Sequence, residues 1–360
     1  MLNRTTGIFL IFILLLTTSS AFALSGSSEE AAGQVDTPDE INDYIRHHLQ
    51  DSHYFTLWTN GKTGHHIGFP LPVILIDEGL HFFMASKFHH GETVAESKGK
   101  YYKLYHGKVY ETNSEGEITL DDHNHPTNAK PLDISITKGV VGMLLAGLLL
   151  LLGFGSLAKN YKSSALPKGI GRVLEPLVIY VRDEIARPNI GAGKYEKYMP
   201  YLLTVFFYIW ILNLLGLTPL GFNVTGNIAI TACLAIFTFI IVQFSGNKEY
   251  WKHIFWMPGV PVLMKIVLMP IEILGMFTKP FALMLRLFAN MTAGHFVVMS
   301  LIALMVTMKS QFGAIGSSSM AFALAFFITI IELLVAFLQA YIFTMLSALF
   351  IGMATEEHDH

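Results

Sequence analysis

The chain has 360 residues, of which 52% are hydrophobic and 14% charged, and its formal net charge is −3 at pH 7. Ordinary soluble domains carry about 25% charged residues, so this composition excludes a single water-soluble core and requires several crossings of a bilayer. A near-neutral balance offers no basic surface for nucleic acid. The sole cysteine, Cys233, set in an apolar run, excludes a disulfide framework and a thiolate metal site.

Taken in order, Arg4, the apolar run Ile8 to Leu16 and Ala21-Phe22-Ala23 have the charged start, short apolar core and small-residue cleavage site of a secretory signal over 1–23. Residues 24–130 are polar, aromatic and His-rich. Turn signals at Gly61, Gly64, Gly91, Gly107 and Gly116 separate strand-like pieces such as Leu80 to Phe88 and Tyr101 to Tyr110, which predicts a small extracytoplasmic module with some β structure. Its histidine doublets, such as His65-His66 and His89-His90, lack fixed ligand spacing, so neither a metal site nor a cofactor is expected. Residues 131–360 read as an all-α polytopic membrane domain with five transmembrane helices, near 136–157, 198–218, 227–245, 269–308 and 320–353. From Pro261 to Met308 the apolar stretch would be about 70 Å long as one helix. That exceeds twice the hydrocarbon thickness, so this segment bends, breaks or tilts strongly, with Pro270 and Pro280 as candidate kinks. An acidic tail, Thr355 to His360, follows the last span.

Charge orients these spans. Lys159, Lys162, Lys168, Arg172, Arg182, Arg187, Lys194 and Lys197 lie between the first and second, whereas Pro219 to Thr225 has no basic residue. The positive-inside rule places the basic segment in the cytoplasm, the N-terminal module outside and the C-terminus inside. Within that segment Ile170, Val173, Leu174, Leu177, Val178, Val181 and Ile185 recur at helical spacing, predicting an amphipathic helix over about 168–187 on the inner membrane surface.

Arg286 is the most informative residue. A charge near mid-bilayer costs about 2.5–3.5 kcal/mol even on the lenient insertion scale, so its presence marks an intramembrane function. Lys265, Glu272, Lys279 and Arg286 are spaced by sevens and drift only about 20° per step on a helix, which makes one charged stripe. For Lys265 and Lys279 a solvated face near the inner surface suffices. If the last two membrane segments form an antiparallel hairpin turning between Gln311 and Ser319, a single register brings Arg286 to Gln339 and His295 to Glu332. On a straight helix Arg286 and His295 would point about 180° apart, so the helices cross or curve, or the two pairs serve different faces. Arginine cannot release its proton, so Arg286 acts only as a fixed charge. His295 and Glu332 titrate at accessible pH and can relay protons.

LRLFANMTAGH from Leu285 to His295, preceded by Lys279-Pro280, and LQAYIFTMLSALFIGMATEEH from Leu338 to His358 closely resemble the two signature segments of the a subunit of F-type ATP synthases. DYIRHHL from Asp43 to Leu49 resembles that subunit's outer N-terminal segment in bacteria, and NLLGLTP from Asn213 to Pro219 the end of its following helix. The resemblance implies the membrane stator of a rotary motor in the bacterial inner membrane, partnered by the c-subunit ring, the b subunits of the peripheral stalk and the rest of the complex. It implies that Arg286 faces the ring, pairs with its membrane carboxylate and keeps two half-channels electrically separate. Asn290 and Gln339 match polar neighbours of that arginine, and Glu272 and Asn213 match half-channel positions. His295 and Glu332 stand where bacterial relatives commonly carry Glu and His, so the acid and the imidazole are exchanged here. The stretch from about His53 to Asn128 departs from the family as an insertion. A proton-coupled secondary transporter, the alternative reading, predicts paired repeats with interrupted helices in both halves, and the sequence has no such symmetry.

Overall fold

The computed structural model describes residues 51–59, 66–91, 93–122, 125–163, 169, 171–218, 222–257 and 259–356. The signal over 1–23, the string Asp43 to Leu49 and the end of the acidic tail lie outside them. The chain forms two compact units. The first holds the described residues up to Met143 together with 216–223 and 295–329; the second holds 144–215, 224–294 and 330–356.

In the first unit, β1 (Tyr54–Thr59) pairs antiparallel with β2 (His66–Pro70). A second sheet has β3 (Pro72–Ile76) between β4 (Leu80–Met84) and β8 (Leu132–Asp133), and a third is β5 (Ala95–Ser97), β6 (Lys100–Tyr105) and β7 (Lys108–Thr112). The expected strand from Leu80 to Phe88 stops at Met84 and passes into a 3-10 turn, Ala85–Gly91, which seats Phe88 in the core with Val73, Leu75, Phe83, Tyr102 and Val109. The strand-like piece from Tyr101 to Tyr110 is instead the hairpin β6–β7. His106 and Gly107, both at positive φ (47° and 75°), supply the two-residue turn whose twist matches paired strands. Lys100 sits against Asp77 (3.0 Å), Glu78 (3.2 Å) and Glu111 (3.5 Å), and the Tyr102 hydroxyl donates to Asp77 (3.2 Å). The Lys100 hydrogen bond holds the Asp77 carboxyl below its usual range against the opposing effect of burial.

β8 extends the module past its expected end at 130, and the chain then runs almost directly into α1 (Lys138–Ser163). Where the chain enters and leaves the module, the two ends are tied together. His53, buried, holds Asp133 through Nε2 at 3.2 Å. Burial raises the Asp133 carboxyl, but the bonds to His53 and Ser135 outweigh it and hold that group below its usual range. The Asp51 carboxylate accepts from Thr137 Oγ1 (2.8 Å) and from the Gly139 amide (2.9 Å), capping α1 in the place where its first amides have no helical acceptor. Asp51→Ala should remove about 1 kcal/mol of cap, so the first amides of α1 should exchange with deuterium roughly fivefold faster in the assembled protein. Unchanged exchange there would show that the carboxylate is not the cap.

The second unit is helical. After α1 come α2 (Gly171–Tyr180), a π-helical turn (Val181–Ala186), α3 (Arg187–Ile190), α4 (Tyr195–Gly216), α5 (Ile228–Ser245), α6 (Lys248–Phe255) and α7 (Val262–Thr355). Five segments have the length and apolarity to cross a membrane: Lys138–Lys162, Tyr195–Gly216, Ile228–Ser245, Val262–Gly294 and Ser319–Thr355. Five such segments is the number expected, and the fourth begins at Val262, seven residues before the predicted start at 269. Among the described residues the amphipathic segment is helical over 171–190, three residues past its expected end; residues 168 and 170 lie outside them. Helical dihedrals persist through Pro270 and Pro280, and α7 breaks instead at Gly313 (φ 70°, ψ 171°), inside the predicted turn window. A left-handed φ is open to glycine without steric penalty.

Small residues let these helices approach closely. Ala340, Ala348 and Ala354 are buried on the last helix with Phe343 and Ile351, against Leu283 and Leu287 of the other arm of α7, Leu202, Phe206 and Ile209 of α4, and Val181, Ile185 and Ala186. The last helix is also capped. Its terminal carbonyls accept from Lys194 Nζ (to Thr355, 2.8 Å), Asn247 Nδ2 (to Thr355, 3.0 Å) and the Asn247 amide (to Ala354, 2.9 Å).

Candidate functional site

The two arms of α7 set the frame of the site. Gly294 on one arm lies so close to Glu332 on the other that a Cβ at Gly294 would sit 2.5 Å from Glu332 Oε1. Eight residues further along each arm, about 12 Å at 1.5 Å per residue, the same antiparallel register brings Arg286 level with Gln339 and Ala340. The shared burial of Leu283 and Leu287 with Ala340 and Phe343 agrees with that register.

Arg286 is half-buried, and its Nη1 is buried without a hydrogen-bond partner among the described residues. Gln339, 5% exposed, has its Oε1 in the same condition, and so has Thr292 Oγ1, between Arg286 and Gly294 in sequence. Buried polar groups are nearly always paired in folded proteins, so these three atoms are left to partners outside the described residues. Asn290, one turn beyond Arg286, is exposed, and beside it on the outward side of the same arm lie Ala282, Ala289 and Ala293, also exposed. Arg286 therefore borders an open, small-residue face on a membrane-grade helix.

The other predicted positions fall in different settings. Asn213 is 5% exposed and fully engaged: its Nδ2 donates to the Ala336 carbonyl (3.4 Å) and its Oδ1 accepts from Thr225 Oγ1 (3.0 Å). It thus joins α4, the segment before α5 and the last helix one turn from Gln339. Glu332 is half-buried at the Gly294 crossing. The side chain of His295 lies outside what the structure describes, and so does its expected pairing with Glu332. Glu272, half-buried, acts on Tyr250: burial pushes the Tyr250 phenol up and the Glu272 charge adds to this, while a hydrogen bond from Gln243 works against it. Tyr250, Gln243, Thr238 and Lys279 line a cavity of about 20 Å³ walled by Phe239 and Phe350. Gln243 Oε1 is buried there without a partner among the described residues, and the volume admits one water.

Lys265 and Lys279 are both half-buried. Each ammonium lies over an aromatic ring, Lys265 over Trp256 at 4.5 Å and Lys279 over Phe350 at 5.3 Å. Rings from the neighbouring segments thus offer these two cations π-surfaces. Thr292, Gly294, Thr225, Gln243 and Tyr250 were missed from sequence. Their only sequence signal is that they are small or polar residues in apolar runs, which many structural positions share.

A family model described as "ATP synthase A chain" matches residues 140–352, and one described as a domain of unknown function (DUF8433) matches residues 44–134, the stretch carrying the β module. Among curated relatives, "ATP synthase subunit a 2" of Chlorobaculum tepidum is 51% identical over 235 residues, which cover 63% of this chain and 65% of that protein. "ATP synthase subunit a" of Chlorobium phaeobacteroides is 42% identical over 296 residues, covering 79% and 83%. Since the family model takes in more than half of its length, including both arms that carry Arg286 and Gln339, the chain belongs to the ATP synthase A chain family, that of subunit a of the F-type ATP synthase.

Proposed function

We propose that this chain is the proton-translocating stator of the membrane sector of an F-type ATP synthase, with Arg286 facing the c-subunit ring. The observation that carries the reading is the half-buried guanidinium, its Nη1 without a partner among the described residues, at the edge of an exposed face of alanines and Asn290. A helix with a membrane carboxylate can approach such a face closely. When it does, the fixed charge of Arg286 stabilises the ionised carboxylate and expels its proton. Away from Arg286 the carboxylate must be protonated to enter lipid, because an ionised group there is costly. Protons thus bind from one half-channel and leave by the other, and the ring turns. Each charge crossing 100 mV supplies about 2.3 kcal/mol, so several crossings are needed for one ATP, made on other chains.

Glu332 and His295 form the relay of one half-channel, with Asn213 and Gln339 lining its path. Glu272, with the Gln243, Tyr250 and Lys279 cavity beside it, belongs to the other. The N-terminal module is periplasmic, residues 1–23 are removed as a signal peptide, and the C-terminus is cytoplasmic in the inner membrane. The b subunits of the peripheral stalk hold the chain against rotation.

The test is ATP-driven acidification of inverted membrane vesicles at low sodium. Wild-type vesicles should pump, which identifies H⁺ as the coupling ion. Glu332→Gln should slow pumping about a hundredfold, the low end of what a positioned proton-transfer group contributes, with the complex intact. The double exchange His295→Glu with Glu332→His should recover most of the rate. Full pumping by Glu332→Gln would remove Glu332 from the path.

A further inference from the structure

Antiparallel sheets commonly bury one face and wet the other, so that strands alternate apolar and polar residues. The sheet β4-β3-β8 does not. Its inner face carries Val73, Leu75 and Phe83 in the module core. On the opposite face, Ile76 pairs with Leu80 on one side and Leu132 on the other. In the next row Ile74 pairs with Phe82, and its carbonyl accepts from the Ile134 amide at 2.9 Å. Leu80 is 57% exposed, Phe82 64%, Leu132 61% and Ile134 55%. Strands apolar on both sides belong to sheets covered on both sides, and a continuous outward patch of this kind marks an interaction surface.

Continuity with the first membrane span selects what covers it. The Ile136 amide donates to the Pro72 carbonyl (3.1 Å), so the β8 edge is still held to the sheet two residues before α1 begins at Lys138. An extended chain covers at most about 3.6 Å per residue, so Ile134 lies within about 14 Å, and Ile136 within about 7 Å, of the first residue of that span. The headgroup layer on each side of the hydrocarbon is itself about 5–8 Å thick. The Asp51 cap and the His53–Asp133 contact fix the module to that helix end at a second strand of chain. Phe55 of β1 meets Phe222 with ring centroids 5.4 Å apart, a further tie within the same unit. At the rim of the face the exposed Lys98 donates to the Leu80 carbonyl (2.7 Å) and keeps further N–H donors for anionic oxygens.

We propose that the outward face of β4-β3-β8 rests in the lipid headgroup and upper acyl region of the leaflet at the N-terminal end of α1, so that the inserted module is a membrane-seated foot rather than a free-standing domain. This inference stands on the module and α1 and makes no use of the Arg286 site.

Single cysteines at Phe82, Leu132 and, as a far-side control, Glu115, each in a Cys233→Ser background, would carry an environment-sensitive fluorophore in the assembled complex. The complex would be reconstituted into phosphatidylcholine vesicles and exposed to lipid spin-labelled high on the acyl chain, or to iodide in water. Probes at 82 and 132 should lose most of their emission to the lipid quencher and little to iodide, with the reverse at 115. Quenching of the 82 and 132 probes by iodide would show a wet face and overturn the proposal. Protection of those probes from both quenchers would also overturn it, in favour of a protein cover. Where labelling perturbs assembly, Phe82→Trp, close in size and apolar, gives the same reading as indole quenching by brominated lipid in excess of that of the four tryptophans already in the chain.

Discussion

Arg286→Ala should abolish ATP-driven proton pumping while leaving the complex assembled. The side chain is half-buried and its Nη1 has no partner among the described residues, so truncation breaks no hydrogen bond to that atom and lifts a desolvation burden from the fold. What is lost is the fixed positive charge that Arg286 would offer to a carboxylate brought to this face. An uncompensated carboxylate out of water carries a penalty of several kcal/mol. Losing even about 3 kcal/mol of that compensation slows ionisation roughly 150-fold, and an acid that stays neutral carries its proton past the site. Arg286→Lys should rescue poorly, because an ammonium is a compact, strongly hydrated charge that shifts its pKa when buried, whereas a guanidinium stays charged and presents a planar fork. The measurement is acidification of inverted vesicles, with blotting for the a, b and c subunits. Undiminished pumping by the alanine variant would end the assignment of Arg286 to ion coupling.

The parts of this architecture legible in the sequence are those governed by local physics. Four of the five spans lie within a few residues of their hydropathy runs because lipid demands length and apolarity of each segment separately. The break at Gly313 was legible for the same reason, as a glycine in a short window where the apolar pattern fails. The start of the fourth span was not, because its first turns carry Lys265 and Glu272 and look solvated until Trp256 and the Gln243–Tyr250 corner are brought against them. Asn213 illustrates the limit at the site. As a polar residue in an apolar helix it could be flagged, but its partners, the Ala336 carbonyl and Thr225, depend on how three segments pack. The two-residue β8 strand could not be read either, since its pairing with Ile76 and Leu75 joins residues more than fifty positions apart and no local alternation announces it.

Gly352→Ala should fail in the opposite way from Arg286→Ala, by losing the protein rather than its function. A Cβ at this position would overlap the Asn189 carbonyl oxygen and lie 2.9 Å from the Asn189 carbonyl carbon and 3.6 Å from Ile190 Cα. These are backbone atoms at the end of α3, so no rotamer change relieves the contact. Separation of the two segments is resisted on both sides. Ile185, Ala186 and Ile190 share a buried cluster with Ile351 and Ala354, and Lys194 and Asn247 hold the Thr355 carbonyl. Overpacking of a well-packed core costs about 1–3 kcal/mol and more where the backbone must move. A penalty near 3 kcal/mol, against the 5–15 kcal/mol that typically holds a domain, should lower the membrane content of assembled complex severalfold or more. Gly294→Ala is the internal comparison: its new methyl meets the far end of the flexible Glu332 side chain, which can turn aside, so the complex should persist. Blotting of membranes for the a and c subunits would separate the two variants, and pumping per assembled complex should stay near wild type for whatever Gly352→Ala protein survives. Wild-type abundance of Gly352→Ala would mean that the last helix does not pack on Asn189 as closely as described.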